Sequence, residues 1–225
     1  MDFEHPPPPP DDYSADIRSA LGLEPDELFI LQPTRVVPRK GIEHAIELVS
    51  RLGMKARLVI SHASGDEGFE YEQRVREYAA MMHVRTLFVS DIIKDRRGRT
   101  PDGRKIYSLA DAYQHADLVT YPSTYEGFGN AFLEAVYYKK PIVVNTYSTY
   151  RTDIKPKGFQ AIEFDGFITE KTLRETREIL SDPEKQRGMV ERNYELGLRF
   201  YSFAVLHRKL ATLFSAYLAM AGTYT

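Results

Sequence analysis

The chain has 225 residues, enough for one large α/β domain or two small ones, and 43% of them are hydrophobic, enough for a proper core. Its 30 basic and 32 acidic residues leave a net charge of −2; that balance argues against a general nucleic-acid binder, though not against a local phosphate pocket. The absence of cysteine removes any disulfide framework, thiolate metal site or cysteine nucleophile.

The chain opens with Met1 to His5 and five prolines, which is unlike a signal peptide. No apolar run approaches the roughly 20 residues that cross a bilayer, so no transmembrane segment is expected. The expected setting is cytoplasmic, with peripheral attachment at a membrane left open. Pro6 to Pro10 must be extended, because proline fixes φ and the run lacks amide donors; it reads as a spacer. Asp16 to Leu21 predicts a short helix. Leu28 to Leu31 reads as a first strand, and Ile42, Ile46, Val49 and Leu52 mark one face of a helix. Ala56 to Ile60 is a second strand. A helix follows over Glu67 to Met82, with Tyr71, Val75, Tyr78 and Ala79 facing inward. Thr86 to Val89 is a third strand, Ile106 to His115 a helix and Asp117 to Tyr121 a fourth strand. Asn130 to Lys139 is helical, Ile142 to Val144 a fifth strand and Ala161 to Phe164 a sixth. From Thr169 onward the chain is mostly helical, ending in an apolar stripe of Leu206, Leu210, Leu213 and Tyr217.

This alternation, with apolar β-branched strands, predicts an α/β fold: a parallel sheet covered on both faces, with ligands bound outside the carboxyl ends of its strands. One stretch breaks the rhythm. Asp91 to Lys105 holds six cations together with Gly98, Pro101 and Gly103. It is too polar for a core and too rich in turn formers for a helix, so it is expected to be a solvated, partly disordered loop; contact with a phosphate or an anionic acceptor is the other reading.

The strongest chemical signal is Glu126-Gly127-Phe128-Gly129-Asn130 running into Ala131-Phe132-Leu133-Glu134-Ala135, just after the strand that leads to Pro122-Ser123. Two glycines permit tight backbone and close ligand approach. Gly129 or Asn130 can then open a helix whose first amides form an anion site. Glu126 and Glu134 can border one pocket, where carboxylates accept hydrogen bonds from vicinal hydroxyls. Taken singly, each would more often be a cap or a solvent-facing helix residue. A second signal, Thr34 to Gly41, places Arg35, Arg39 and Lys40 at the end of the first strand. Arg35 can fork onto a pyrophosphate and Lys40 can add a point charge. His62 is tempting as a ligand or base, but a strand-end histidine is more often structural.

On these residues the chain resembles the C-terminal domain of glycosyltransferase family 4, the retaining GT-B enzymes. The matching positions are Arg35 and Lys40-Gly41, Pro122-Ser123, Glu126 to Gly129 and Glu134-Ala135, with seven residues between the two glutamates; the likeness runs from Leu28 to about Phe203. It implies a single Rossmann-like doubly wound sheet, one half of a GT-B fold, with extra C-terminal helices. It divides the chain into a proline-rich leader or hinge with a short helix (1–24), a donor-binding domain (25–203) and a C-terminal helix (204–225). The implied catalytic residues are Arg35, Lys40 and Glu126. The implied donor contacts are Arg35 and Lys40 on the diphosphate, Glu126 and the Gly127, Phe128, Gly129 and Asn130 backbone on sugar and phosphates, and Glu134 on the ribose. No metal or cofactor is implied, only a nucleoside-diphosphate sugar as donor.

The chain departs from the family pattern at Ser61-His62-Ala63, Ser90-Asp91, Lys139-Lys140-Pro141 and Tyr147 to Tyr150. The resemblance therefore leaves the sugar and base unspecified. It also implies an N-terminal acceptor-binding domain as partner, little transferase activity for this chain alone, and a last helix whose exposed stripe would favour homo-oligomers. A GT-B sugar epimerase and a noncatalytic, receiver-like binding module are the alternatives. The glutamate spacing favours transfer over the first, and the cations at the early strand end oppose the second.

Overall fold

The computed structural model describes residues 1–64 and 69–221. Six strands form one parallel sheet: β1 (Leu28–Gln32), β2 (Ala56–Ile60), β3 (Thr86–Phe88), β7 (Leu118–Tyr121), β8 (Ile142–Asn145) and β9 (Ile162–Phe164). Their order is β3-β2-β1-β7-β8-β9. Alternating side chains divide the core between the two faces. Phe29, Leu31, Val119, Tyr121 and Val144 enter one cluster, while Ile30, Leu58, Ile60, Leu118 and Val143 enter the other. A sheet buried on both faces needs apolar residues at every position, which is why these strands read as continuous runs. The fold is α/β and Rossmann-like, as expected.

The short helix expected over Asp16 to Leu21 is α1 (Ile17–Ala20), while α2 (Ile42–Leu52), α3 (Glu70–Met81) and α6 (Glu170–Ser181) pack on the second cluster. On α2 the buried positions are Ile42, Ala45, Ile46, Leu48, Val49 and Leu52, a 3.6-residue stripe that Gly53 ends at φ +70°. Glu67 and Gly68 of the expected third helix lie outside the described residues; Tyr71, Val75 and Ala79 face inward as read. The mostly helical stretch expected from Thr169 onward is three helices: α6, α7 (Pro183–Tyr201) and α8 (Phe203–Ala221). Asp182, whose side chain caps the amides of Glu184 and Lys185, with Pro183 at the first helical position, sets the first break. On α8, Leu206, Leu210, Leu213 and Tyr217 are exposed, Tyr217 at 70%. No helix among the described residues is long and apolar enough to cross a membrane.

The basic stretch is not a disordered loop. Two short strands, β4 (Ile93–Lys94) and β5 (Gly98–Arg99), flank β6 (Lys105–Ser108) in a small second sheet. This also corrects the start of the helix expected at Ile106: residues 106–108 belong to β6, and α4 (Leu109–His115) begins after the Ser108 cap. The leading segment supplies the reason. Arg97 grips Asp11 at 2.6 Å and Asp111 at 3.0 Å. Lys105 holds both Asp16 oxygens at 2.9 Å, and the Tyr13 hydroxyl donates to the Gly98 and Ile106 carbonyls.

The first residues dock as well. Phe3 is buried against Gly197, where any side chain would collide with its ring, and the Tyr194 hydroxyl donates to its carbonyl at 2.9 Å. The Pro8 carbonyl accepts from Gln114, so the proline run, read as a spacer, is tied to α4.

Candidate functional site

The strand order reverses between β1 and β7, and a cleft opens there beyond their carboxyl ends. Two loops make it. The first follows β1 and ends at Gly41, in a left-handed conformation with φ +57°. A Cβ at Gly41 would lie 2.7 Å from the Pro122 carbonyl oxygen, so only glycine lets this loop lie against the one after β7. The Thr124 amide donates to the Arg39 carbonyl at 2.9 Å and joins the loops directly.

The second loop leads to α5 (Asn130–Tyr137), which Gly129 opens at φ +110°. A side chain at Gly129 would overlap the Tyr147 hydroxyl, which donates to the Phe128 carbonyl at 3.1 Å. Thr149 likewise donates to the Glu126 carbonyl at 3.0 Å. The segment Tyr147 to Tyr150 therefore braces the glycine loop from below.

The cleft has a volume of about 350 Å³ and is lined by Arg35, Lys40, Glu126, Phe128, Gly129, Asn130 and Glu134, which the sequence singled out. Gly127 does not line it; its place is in the bend of the loop. Thr34, Arg39, His62, Leu109 and Tyr121 also contribute. Sequence gave Arg39 no site role, although it stands beside Lys40. Tyr121 was read only as the end of a strand, where an aromatic carries no signal of its own.

At the centre, Lys40 pairs with Glu126, each side chain only 10% exposed. Arg39 approaches the other Glu126 oxygen at 3.4 Å. Burial pushes the Glu126 carboxyl up, but its hydrogen bonds, that from Lys40 foremost, hold it below the ordinary glutamate value. Burial also lowers Lys40, against the pull of Glu126 and with help from Arg39 and Arg35. The guanidinium of Arg35 makes no ion pair among the described residues, so the cleft keeps an excess of positive charge. Glu134 is not the solvent-facing residue that it would be on an ordinary helix surface: burial raises its pKa, opposed by a hydrogen bond from Tyr113. Burial lowers His62, whose Nδ1 shares a 2.8 Å hydrogen bond with Ser61. No group of three or more acidic or histidine side chains placed to hold a metal occurs among the described residues.

A cationic pocket at the strand reversal, with two carboxylates and a glycine-capped helix start, suits an anionic ligand that also carries hydroxyls. Residues 104–196 match the family model described as glycosyl transferases group 1. The chain carries a group 1 glycosyl transferase domain of the GT-B type.

The chain is 32% identical to mannosylglucosylglycerate synthase of Thermotoga maritima over 90% of its own length and 52% of that protein. It is 30% identical to the Petrotoga mobilis enzyme of the same name, over 85% and 51%. The chain thus spans about half the length of these curated relatives. Among solved structures, Anabaena HepE in complex with UDP and glucose superimposes with a TM-score of 0.74 at 15% identity, covering 96% of this chain and 55% of that one. The C-terminal domain of the group 1 protein LpcC from Francisella tularensis gives 0.66 at 14%, covering 90% and 99%. At these identities the structural likeness concerns the fold alone.

Proposed function

We propose that this chain is the donor half of a retaining glycosyltransferase. It binds a nucleoside-diphosphate sugar and, with an acceptor-binding domain in the remaining length of the protein, transfers a hexosyl group with retained configuration. The observation that carries this reading is the convergence of Arg35 and Lys40, from the loop after β1, with Glu126 and Glu134, from the loop and helix after β7, on one cleft.

Each group has a task that its chemistry suits. Arg35 forks onto the diphosphate. Lys40 adds a second cation as the sugar–phosphate bond breaks and negative charge gathers on the leaving group, a fixed electrostatic stabilisation held ready in advance. The amides that open α5 add the positive end of a helix. Glu126 accepts hydroxyls of the transferred sugar and keeps Lys40 in place. Glu134 accepts the ribose hydroxyls. The names of the relatives and the UDP-bound neighbour point to nucleoside diphosphates of glucose or mannose as first candidates.

Calorimetric titration with UDP, GDP, ADP and their glucose and mannose conjugates tests this. At least one should bind, and Arg35→Ala or Glu134→Ala should weaken it. Equal binding by those variants, or no binding by the wild type, sinks the reading. The isolated chain should show little transfer, since one wall of the cleft is absent; normal turnover by it would refute the two-domain site.

A further inference from the structure

Glu134 reaches the cleft from α5, and its carboxylate is held from behind. Tyr113, on α4, is fully buried and donates its hydroxyl to Glu134 Oε2 at 2.8 Å. The Ala131 carbonyl, on the same turn of α5, lies 3.4 Å from that hydroxyl. The Tyr113 ring stacks on Tyr138, with centroids 5.2 Å apart and planes 13° from parallel. The phase of α4 is itself fixed, because Ser108 and Asp111 close a capping box at its start and Arg97 grips Asp111. A phenol buried this deeply must find an acceptor, and the locked ring lets its O–H aim at one carboxylate oxygen. The other oxygen, Oε1, accepts no hydrogen bond among the described residues, and it belongs to a residue that lines the cleft.

We propose that Tyr113 is a positioning residue: it occupies one oxygen of Glu134 and presents the other to the vicinal hydroxyls of a ribose, so that the cleft selects ribonucleotides over dideoxyribonucleotides. The inference rests on the reading of Glu134 as the ribose contact. Burial drives Glu134 towards its protonated form, and the Tyr113 O–H opposes this. The other titratable groups that face Glu134 are the Met1 amino group and Tyr138, at the end of the same helix.

The test is to titrate UDP, ADP and GDP, each beside its 2′,3′-dideoxy analogue, into the whole chain and its variants. Tyr113→Phe keeps the ring stack and removes only the O–H. It should weaken the preferred nucleotide about tenfold and leave the dideoxy analogue within about twofold. The acid limb of nucleotide binding should also move to higher pH, since the group opposing protonation of Glu134 is gone. Tyr138→Phe, which also keeps the stack and removes a hydroxyl that makes no hydrogen bond to Glu134, should change neither affinity. Equal loss for both ligands in Tyr113→Phe would reduce Tyr113 to packing and overturn the inference. Glu134→Gln keeps the two ideas apart. If it leaves the ribose preference intact, the ribose contact itself is wrong; if it erases that preference while Tyr113→Phe does not, only the positioning inference falls. Failure of all three nucleotides to bind the wild type overturns both.

Discussion

Two basic segments of this chain look alike in sequence and behave differently in the fold. Residues 34–41 and 91–105 both follow strands of the main sheet, and both mix cations with glycine and proline. In the second, half of the six cations are spent, as Arg97 bridges Asp11 and Asp111, Lys105 holds Asp16 and Arg104 meets Asp102, while Lys94, Arg96 and Arg99 stand exposed on the surface. In the first, Lys40 and Arg39 share the single carboxylate of Glu126, Arg35 pairs with none among the described residues, and all three line a concave wall. An anion site therefore depends less on how many cations a loop holds than on how many remain unneutralised inside a hollow, where the field is concentrated.

This contrast can be broken most sharply at Lys40. Lys40→Met leaves Glu126 charged and largely buried without its partner, so stability should fall by about 3 kcal/mol and nucleotide affinity by about a hundredfold. Urea unfolding and calorimetry read the two effects. Arg97→Ala, in the other segment, should cost about 2 kcal/mol, because Asp111 is 1% exposed and loses its guanidinium. Its nucleotide affinity should stay within about twofold; a larger loss would show that the second segment also serves the ligand. Arg35→Ala should do the reverse, with about tenfold weaker binding and a change in unfolding free energy within about 0.5 kcal/mol.

The smallest effect is one of pH. Burial pushes Asp111 up, but Arg97 and Ser108 outweigh it and hold its carboxyl below the ordinary aspartate value. A group lowered in this way adds stability above its unfolded pKa of about 3.9 and loses it as pH falls through the folded value. Between about pH 4 and 2 the wild type should therefore lose stability more steeply than Arg97→Ala. Parallel urea midpoints over that range would show that Arg97 does not hold the proton off Asp111.

The main sheet was legible because its signal is local. A run such as Leu28 to Leu31 carries its own burial on both faces. The cleft was legible because its cations and carboxylates lie in two short motifs that each carry a glycine, although the groups that compel Gly41 and Gly129, the Pro122 carbonyl and the Tyr147 hydroxyl, come from other segments. The second basic segment was misread because its partners, Asp11, Tyr13 and Asp16, lie some 85 or more residues away; composition cannot show which charges meet. Residues 106–108 were read as helix because they run directly into α4, and composition does not show their strand pairing with Ile93 and Gly98. Tyr113 was invisible as a site residue because its acceptor sits 21 positions away on another helix.

The seating of Phe3 over Gly197, with Glu4 Oε1 accepting from the Ala204 amide at 3.0 Å, joins the front of the chain to the base of α8. Under tension applied at its two ends, the protein would meet the load first at this clamp. Only after Phe3 leaves its notch would force reach the leader, then the Arg97 bridge, and last the parallel strands, where neighbouring backbone ladders must slide together. Mechanical unfolding should accordingly begin as peeling at the edge and end as shear at the centre.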